Sequence, residues 1–514
     1  MKKTFHLMFM LVAAVLLLAS CSKGPSKATR LIPENAFVVV RVDVKQLVEK
    51  SGLNSDSKLI KKLKSGMGDT EMSEEMTEKI VSILLNPSSS GIDFDQPVFF
   101  YFTGNRENMG GLVGCVSSKS KLTDLLNQIS DEVGESLEIE EEDGVSRIED
   151  NFFFTDDWFF IGDANGSDFA ETLKEMAESG EGSLSDSESM EKLCEQEGVM
   201  SLMMLGSGIK SVDDRDVKQA LSMLREQMPD GVELDDLGFI GDFQLMGGEA
   251  LLTSELLAMS EDAKEWVGKY EDALKDIDSD LMKYVSSDGL SLFVNMDMNY
   301  LKKSVEQFMK AQHITDGEAK EMVDNVMSSM TGSFALDISS FTQQGPNVNG
   351  FIGTKDNTIV DLLQGALGEQ DLQERGDGFR AVADYSYDWD SYDPTTDDYV
   401  RTPKSYVDFG RKSGITYLCY GENPNGFQPA SHAVSSGDIR GKGMYVRFNF
   451  NFLKKFDEDM VGSEVAGIMK DVAKMFNYCE SYYEGNGRSV FRLTTQDDDK
   501  NPLELILDYV SKFI

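Results

Sequence analysis

Internal repetition is the feature that most narrows the folds this chain can adopt. The same pattern occurs three times, in residues 40–47, 294–301 and 446–453. Each copy alternates apolar with polar residues, which predicts a strand with one buried face. Asp43, Asp297 or Asn449 then follows, at the point where the strand should pass into a helix, and such side chains favour the capping position. One small unit of strands and helices is therefore repeated along the chain.

The repeated unit is predicted to run strand, helix, helix, strand, strand, helix. A second motif supports it, because residues 91–96 match residues 231–236, each with a helix before it and an apolar strand after it. In the last copy Asn486 and Gly487 favour a tight hairpin, and a final helix is predicted over 502–514. Four copies can be placed, at residues 36–130, 198–281, 289–367 and 443–514.

The copies group into two halves. Aromatic-rich strands at 158–163 and 415–421 occupy matching places between them, so the simplest account is a duplication in which each half holds two units. The halves are predicted to span residues 31–281 and 289–514. Strands and helices in this order predict an α+β fold of tandem duplicated modules with mainly antiparallel sheets.

The first residues have the pattern of an export signal. Lys2 and Lys3 precede an apolar run that is too short to span a bilayer comfortably, and small residues follow. The sequence Leu-Ala-Ser-Cys at 18–21 matches the bacterial lipobox, in which the cysteine is acylated and the chain is cut before it. Residues 1–20 are therefore predicted to be a signal peptide. An ordinary signal peptide that ends near a cysteine is the alternative.

Cys21 is the predicted lipid attachment residue. Residues 21–30 then form a tether whose composition is typical of a flexible linker. Two or three acyl chains anchor firmly, so the lipid bilayer is an expected partner. The tether lacks the acidic run that resembles a surface-export signal, and we therefore expect the periplasmic face of the outer membrane within the cell envelope.

Net charge and cysteine content limit the partners and the disulfides that the chain can have. A formal net charge of −41 repels nucleic acid, which excludes nucleic-acid binding. The acidity is most simply a solvated surface, with a role in binding cations or basic partners as the alternative. An exported compartment permits disulfides, and four cysteines allow three pairings, although four free thiols fit equally well. These cysteines are Cys115, Cys194, Cys419 and Cys479.

No catalytic motif is present in the sequence. His313 and His432 stand alone in polar stretches, and neither a paired-histidine zinc motif nor a GxSxG elbow occurs. Carboxylates are so abundant that any one pair is uninformative. We therefore predict no catalytic residue and no cofactor.

One acidic stretch has part of a calcium-loop pattern. Asp276, Asp278 and Asp280 have the spacing of an EF-hand, but Leu281 stands where that loop needs glycine. An acidic linker is the better interpretation, and no metal site is predicted.

An aromatic and acidic segment is the candidate ligand site. Aromatic faces with carboxylates between them suit sugars, cations or a basic partner surface. The alternative is a strand whose aromatic residues pack inward while its acids face water. The candidate residues are Tyr385, Tyr387, Asp388, Trp389, Asp390 and Tyr392.

The whole chain resembles a known group of proteins. After the lipobox, Leu-Ile-Pro-Glu-Asn-Ala at 31–36 leads into the valine-rich first strand. This arrangement resembles a family of uncharacterised lipoproteins of similar length from gut Bacteroidota. The resemblance implies an envelope location and a shared fold, but no activity.

Two functions from different classes follow. The first is a membrane-anchored periplasmic lipoprotein that binds or interacts without catalysis, with an envelope protein as a possible partner. The second is a carboxylate-dependent hydrolase that acts on glycans or peptides. Repeated modules without a catalytic motif favour the first.

Overall fold

A computed structural model shows the fold. It describes residues 26–68, 73–103, 110–133, 137–162, 169–209, 225, 228, 231–311, 317–342, 345–368, 372–393, 398–424, 426–437, 439–456 and 458–512. The predicted signal peptide, Cys21 and His313 lie outside these residues. The chain divides into two compact units. Unit 1 runs up to Glu265 and resumes at Asp497, and unit 2 is Trp266–Gln496.

Unit 1 is built on one antiparallel sheet. Its strands are β1 (Val38–Val42), β2 (Val98–Phe102), β3 (Gly110–Cys115), β4 (Ile139–Glu142), β5 (Val145–Ile148), β6 (Phe152–Phe154), β7 (Trp158–Gly162), β8 (Met200–Leu205), β9 (Leu237–Met246) and β10 (Glu249–Ala258). Side by side, they follow the order β4-β5-β6-β7-β3-β2-β1-β8-β9-β10.

Unit 2 contains ten further antiparallel strands. Its strands are β11 (Leu290–Asn295), β12 (Met330–Thr342), β13 (Gly345–Thr354), β14 (Gln373–Arg375), β15 (Gly378–Asp393), β16 (Asp398–Lys412), β17 (Ile415–Gly421), β18 (Lys442–Asn449), β19 (Phe476–Gly485) and β20 (Arg488–Thr495). Their order is β14-β15-β16-β17-β13-β12-β11-β18-β19-β20.

The two strand orders match strand for strand. Each strand of unit 1 has a counterpart ten strands later in the chain at the same place in the sheet of unit 2. The α+β class, the antiparallel sheets and the tandem duplication are thereby confirmed.

Helices accompany both sheets. They are α1 (Val44–Ser51), α2 (Lys58–Gly68), α3 (Glu74–Leu85), α4 (Lys119–Val133), α5 (Phe169–Ser179), α6 (Glu188–Cys194), α7 (Gly206–Ile209), α8 (Glu261–Ala273), α9 (Ser279–Met282), α10 (Met298–Ala311), α11 (Gly317–Ser329), α12 (Thr358–Leu367), α13 (Glu458–Val461), α14 (Ser463–Met475) and α15 (Pro502–Val510). Within the described ranges, none of these helices combines the length and the apolar character that a membrane crossing requires.

The predicted caps between strand and helix are confirmed. The Asp43 side chain accepts a hydrogen bond from the Gln46 backbone N–H at 2.9 Å where α1 begins. Asp297 does the same for Asn299 at 2.9 Å before α10. Asn449 caps a 3-10 helix by accepting from the N–H of the residue two positions on. Each cap satisfies one of the N–H groups that a helix start leaves unpaired.

The closing helix of the chain belongs to unit 1. It begins at Pro502 as predicted and ends at Val510. Asn501 and Glu504 form a capping box, and the Asn501 side chain also donates to the Lys50 carbonyl oxygen at 2.7 Å, at the end of α1. The hairpin predicted at Asn486 also exists, since this residue has φ of 53° between β19 and β20.

The sheet of unit 1 has an apolar layer on each face. Neighbouring residues of one strand point to opposite faces, so Phe159 and Phe160 belong to different layers. One layer contains the buried side chains of α3 and α4. The other is closed by a 3-10 helix (Lys27–Leu31), by α5 and by α6. Burying each such side chain contributes about 1.5–3 kcal/mol.

Candidate functional site

One face of the sheet in unit 2 contains a continuous row of polar side chains, which we name the polar row. Directly paired residues on neighbouring antiparallel strands share a face, so their side chains meet. From β20 to β15 the polar row is Arg492, Glu480, Arg447, Ser291, Asp337, Asn349, Cys419, Asp408 and Arg380.

Asp337 lies at the centre of the polar row and is 1% exposed. One carboxylate oxygen accepts a hydrogen bond from the Asn349 side-chain amide at 3.0 Å, and the other accepts from the Ser286 backbone N–H at 3.1 Å. Burial raises the pKa of the Asp337 carboxyl, while hydrogen bonds from Asn349, Ser286 and Ser339 oppose that rise. The group is a buried acid whose proton affinity is increased.

A cavity of about 150 Å³ opens beside this carboxyl, and we name it the Asp337 cavity. Tyr284 and Phe351 form its aromatic side, with ring centroids 5.4 Å apart in a stacked arrangement. Asp288 also lines it, and its carboxylate lies 2.7 Å from the Nδ1 atom of the exposed His432. The cavity therefore combines an aromatic wall with two carboxyl groups.

A second cavity of about 250 Å³ lies at the β15 end of the polar row, and we name it the Arg380 cavity. The Arg380 guanidinium donates to both oxygens of Asp408, from Nε at 2.5 Å and from Nη2 at 2.7 Å. Nη2 also donates to the Pro424 carbonyl oxygen at 3.2 Å. The hydrogen bonds to Asp408 raise the pKa of Arg380, so this side chain is fixed and charged.

A covering loop, residues 422–437, lies over this face between the two cavities. Phe427 packs between Tyr284 and Tyr417, with centroid distances of 4.3 and 5.4 Å. The loop is held by backbone hydrogen bonds to the segment 283–287, and the Cys419 thiol donates to the Gly426 carbonyl oxygen at 3.4 Å. Gly426 lines both cavities, so one loop bounds both.

The β20 end of the polar row is an internally paired charge cluster. Glu480 is 2% exposed and accepts a hydrogen bond from the Tyr445 hydroxyl at 2.8 Å. Its other oxygen lies 3.6 Å from Arg440 and 3.7 Å from Arg492. Burial and the hydrogen bond to Glu480 raise the pKa of Tyr445. Glu480 Oε1 accepts no hydrogen bond from the described residues, but the two nearby arginines balance its charge, which favours a structural role.

The ligand residues predicted from sequence lie further along β15. Arg401 lies over the Tyr385 ring, 4.7 Å from its centroid, so an internal cation already covers one face of that ring. The side chains of Tyr387, Asp388, Trp389, Asp390 and Tyr392 lie outside what the structure describes. A ligand site at this segment therefore stays a prediction, and the backbone there adopts the strand of the alternative interpretation.

The acidic linker and the thiols have plain structural positions. Asp278 accepts a hydrogen bond from the Asp280 N–H at 2.9 Å and caps α9. In the described ranges, no group of three or more histidine, cysteine, aspartate or glutamate residues is placed to hold a metal ion. All four cysteines predicted as thiols or disulfides are free thiols, so none of the three pairings is present.

Sequence reasoning did not single out Asp337, Asp408 or Arg380. A charged residue inside an otherwise apolar strand was the available signal, as in Leu-Asp-Ile at 336–338 and Val-Asp-Phe at 407–409. The polar row itself appears only with the strand register, because register brings together residues that are far apart in sequence.

Comparisons with known proteins give a family and a weak structural likeness. The family model described as Domain of unknown function (DUF4836) matches residues 28–370. No curated protein matches the chain. Crystal form I of TP0453 is similar at 12% identity over 48% of this chain and 86% of that one, with a TM-score of 0.24. Crystal form III of TP0453 is similar at 14% identity over 50% of this chain and 91% of that one, with a TM-score of 0.25. Scores this low support no argument about fold or function.

Proposed function

For a chain that belongs to the family described as Domain of unknown function (DUF4836), we propose a lipid-anchored protein of the bacterial cell envelope. It binds a ligand without catalysis on the polar row of unit 2. The polar row supports the binding role, and the first residues of the sequence support the anchor. An envelope protein is a further possible partner, and the net charge of −41 opposes nucleic acid.

The anchor rests on Cys21 and the lipobox before it. Acyl chains on this residue would hold the protein at the periplasmic face of the outer membrane. Cells that express the wild type should incorporate labelled palmitate into the protein, and cells that express Cys21→Ala should not. Undiminished labelling of the variant would contradict the anchor.

The polar row with its two cavities is the single observation that carries the binding role. Burying charged groups is costly unless they are paired, and an apolar row of similar volume is often at least as stable. A protein that needed only a stable core would gain nothing from cavities beside Asp337 and Arg380. Concave sites with a few convergent polar groups and aromatic walls are typical of ligand binding.

Thermal unfolding in the presence of envelope extract tests this role. The small-molecule fraction of the extract should raise the melting temperature of the wild-type protein. Ala430→Trp fills the Asp337 cavity and should remove that rise. Ser436→Trp introduces the same side chain at an exposed position of the covering loop and should keep it. Equal behaviour of the two variants would argue against the cavity.

Hydrolysis is the alternative, and the raised pKa of buried Asp337 is the observation that favours it. A buried carboxyl whose proton affinity is increased is the kind of group that can serve as a general acid. Polysaccharide and peptide substrates should be incubated with the wild type and with Asp337→Asn. Turnover that this single change abolishes would replace the binding role with catalysis.

A further inference from the structure

On the premise of the proposed binding role, we propose that the Arg380 cavity binds an oxyanion. The ligand group is the carboxylate or phosphate of a small polar molecule. Hydrogen-bond donors without partners converge on this cavity, and the following contacts establish them.

Arg380 presents donors that its own contacts leave unused. Nε and Nη2 are occupied by Asp408 and by the Pro424 carbonyl, which fixes the plane of the guanidinium. The two N–H groups of Nη1 make no hydrogen bond within the described ranges. A planar guanidinium held in this way is suited to an oxyanion, because ordering it costs little on binding.

Tyr417 supplies a second free donor. The residue is 5% exposed, and its hydroxyl has no hydrogen-bond partner among the residues that the structure describes. The ring crosses Gly378 and Gly410, where a Cβ atom on either glycine would overlap the hydroxyl oxygen. Burial raises the pKa of Tyr417 to about 12, so the phenol keeps its proton and can donate. Because Tyr417 lines the cavity, its hydroxyl can donate to a ligand there.

The charge of the cavity is positive in an acidic protein. Three cations line it, Arg375, Arg380 and Lys412, against two carboxylates, Asp377 and Asp408. Lys412 pairs with Asp377 at 2.5 Å, while Arg375 forms no ion pair within the part of the chain that is described. The surplus cation favours an anion in this cavity, although the net charge of the whole chain would repel one.

Cavity size limits the ligand. A volume of about 250 Å³ lies just below the roughly 300–1,000 Å³ typical of drug-sized ligand pockets, which suits a single sugar ring or a small acid. All these lining residues lie after residue 370, beyond the segment that the family model matches. The oxyanion site is therefore an assignment for this chain and not for its family.

Calorimetric titration with three probes tests the assignment, using D-glucuronate, inorganic phosphate and uncharged D-glucose. The full mature protein should bind at least one of the two anions and should not bind glucose. Tyr417→Phe removes one donor to an anion and should weaken binding on the order of tenfold. Arg375→Ala should weaken it as well, because it removes the unpaired cation.

Two control variants test whether loss of any tyrosine hydroxyl or any arginine would weaken anion binding. Tyr420→Phe removes a phenol from the other face of β17, and Arg488→Ala removes an arginine from the β19–β20 hairpin. Neither should change anion affinity. Binding of glucuronate alone, of phosphate alone or of both identifies the anion. If Tyr417→Phe weakens that binding, the oxyanion assignment is supported.

Failure of this assignment and failure of the binding role have different signatures. If neither anion binds while envelope extract still stabilises the protein and Ala430→Trp removes that effect, the oxyanion assignment is overturned and the binding role stands. Anion binding that Tyr417→Phe and Arg375→Ala leave unchanged also overturns it. If the extract does not stabilise the protein and neither anion binds, the binding role and the oxyanion assignment are both wrong.

Discussion

The middle of the corresponding strand face is apolar in unit 1 and polar in unit 2. In unit 1 the corresponding row runs through Thr253, Asp242, Ser201, Arg41, Phe99, Val113, Phe160, Phe153, Arg147 and Glu140. Its middle is apolar and fully buried. On the matching strands of unit 2 the middle is Asp337, Asn349, Cys419 and Asp408. A shared strand order therefore supports two opposite interiors.

The segments that pack over these two faces explain why the middle is apolar in unit 1 and polar in unit 2. In unit 1 the segment before β8 forms α5 and α6, which bury Leu173, Met190 and Leu193 against the apolar row. In unit 2 the segment before β18 is the covering loop, which has no helix in its described residues and inserts the single ring of Phe427. Two helices fill the space in one unit, and one loop leaves two cavities in the other.

Strand order and interior chemistry are therefore set separately in the two units. Strand order needs only alternation and turns, which both halves share. The interior depends on which side chains the row and its cover present, and unit 2 retains a polar row despite its cost. The costly groups in the middle of the unit 2 row support the binding role proposed for this copy.

Placing a polar side chain in the apolar middle of the unit 1 row should have the largest effect on the free energy of unfolding. Phe160→Asn removes a fully buried ring and leaves an amide among Val113 and Phe153, so unit 1 should lose about 4 kcal/mol or more. Cys419→Asn places the same amide between Asn349 and Asp408, where it has partners, and should cost about 1 kcal/mol. Urea unfolding of both variants measures the difference.

A size control separates polarity from volume. Phe160→Leu keeps the position apolar and should destabilise unit 1 less than Phe160→Asn. If Cys419→Asn destabilised the protein as much as Phe160→Asn, the polar row would behave as an ordinary apolar core, and the two interiors would not differ in the way described.

Much of the fold was predictable from sequence, and the candidate site was not. Strand alternation around Asp43 and Asn449, with their caps, is local chemistry, so the repeated unit and the duplication could be read directly. The polar row joins Asp337 to Arg380 through strand pairing over long separations, and no local pattern encodes that register. The aromatic segment around Trp389 is unusual in its local composition, which is why the sequence predicts a ligand site there.

Truncating one side chain in α6 of unit 1, or one in the covering loop of unit 2, should have a smaller effect on the free energy of unfolding. Met190→Ala opens a hole in the fully buried contact of α6 and should cost about 2–5 kcal/mol. Phe427→Ala removes a half-buried ring between two cavities, where part of the surface is already open, and should cost less than Met190→Ala. Thermal unfolding with hydrogen exchange on β1 and β11 assigns each loss to its unit. A larger loss for Phe427→Ala would show that the covering loop is a core element.

The pH dependence of stability should distinguish the units through Asp337. Burial raises the pKa of this carboxyl above its ordinary value of 3.8, so the folded state binds the proton more tightly than the unfolded state. The stability that protonation contributes is present below pH 3.8 and is lost as pH rises through the raised folded-state pKa.

The test compares the wild type with Asp337→Asn from pH 4 to pH 7. The wild type should lose stability over this range relative to the variant, because the variant cannot titrate at that position. Parallel curves would mean that Asp337 has no raised pKa, and the buried acid would then be fully compensated by Asn349 and Ser286.

Thiol reactivity should give the smallest and most local contrast. Burial raises the pKa of Cys194 to about 11 and of Cys419 to about 12, so both thiols are protonated and unreactive when covered. Exposing Cys194 requires α6 to leave the apolar layer, whereas exposing Cys419 requires only that the covering loop release the hydrogen bond to Gly426. Alkylation with N-ethylmaleimide, followed by peptide mass spectrometry, should therefore modify Cys419 several-fold faster despite its higher pKa. Faster modification of Cys194 would show that the helical cover of unit 1 opens more readily than the covering loop of unit 2.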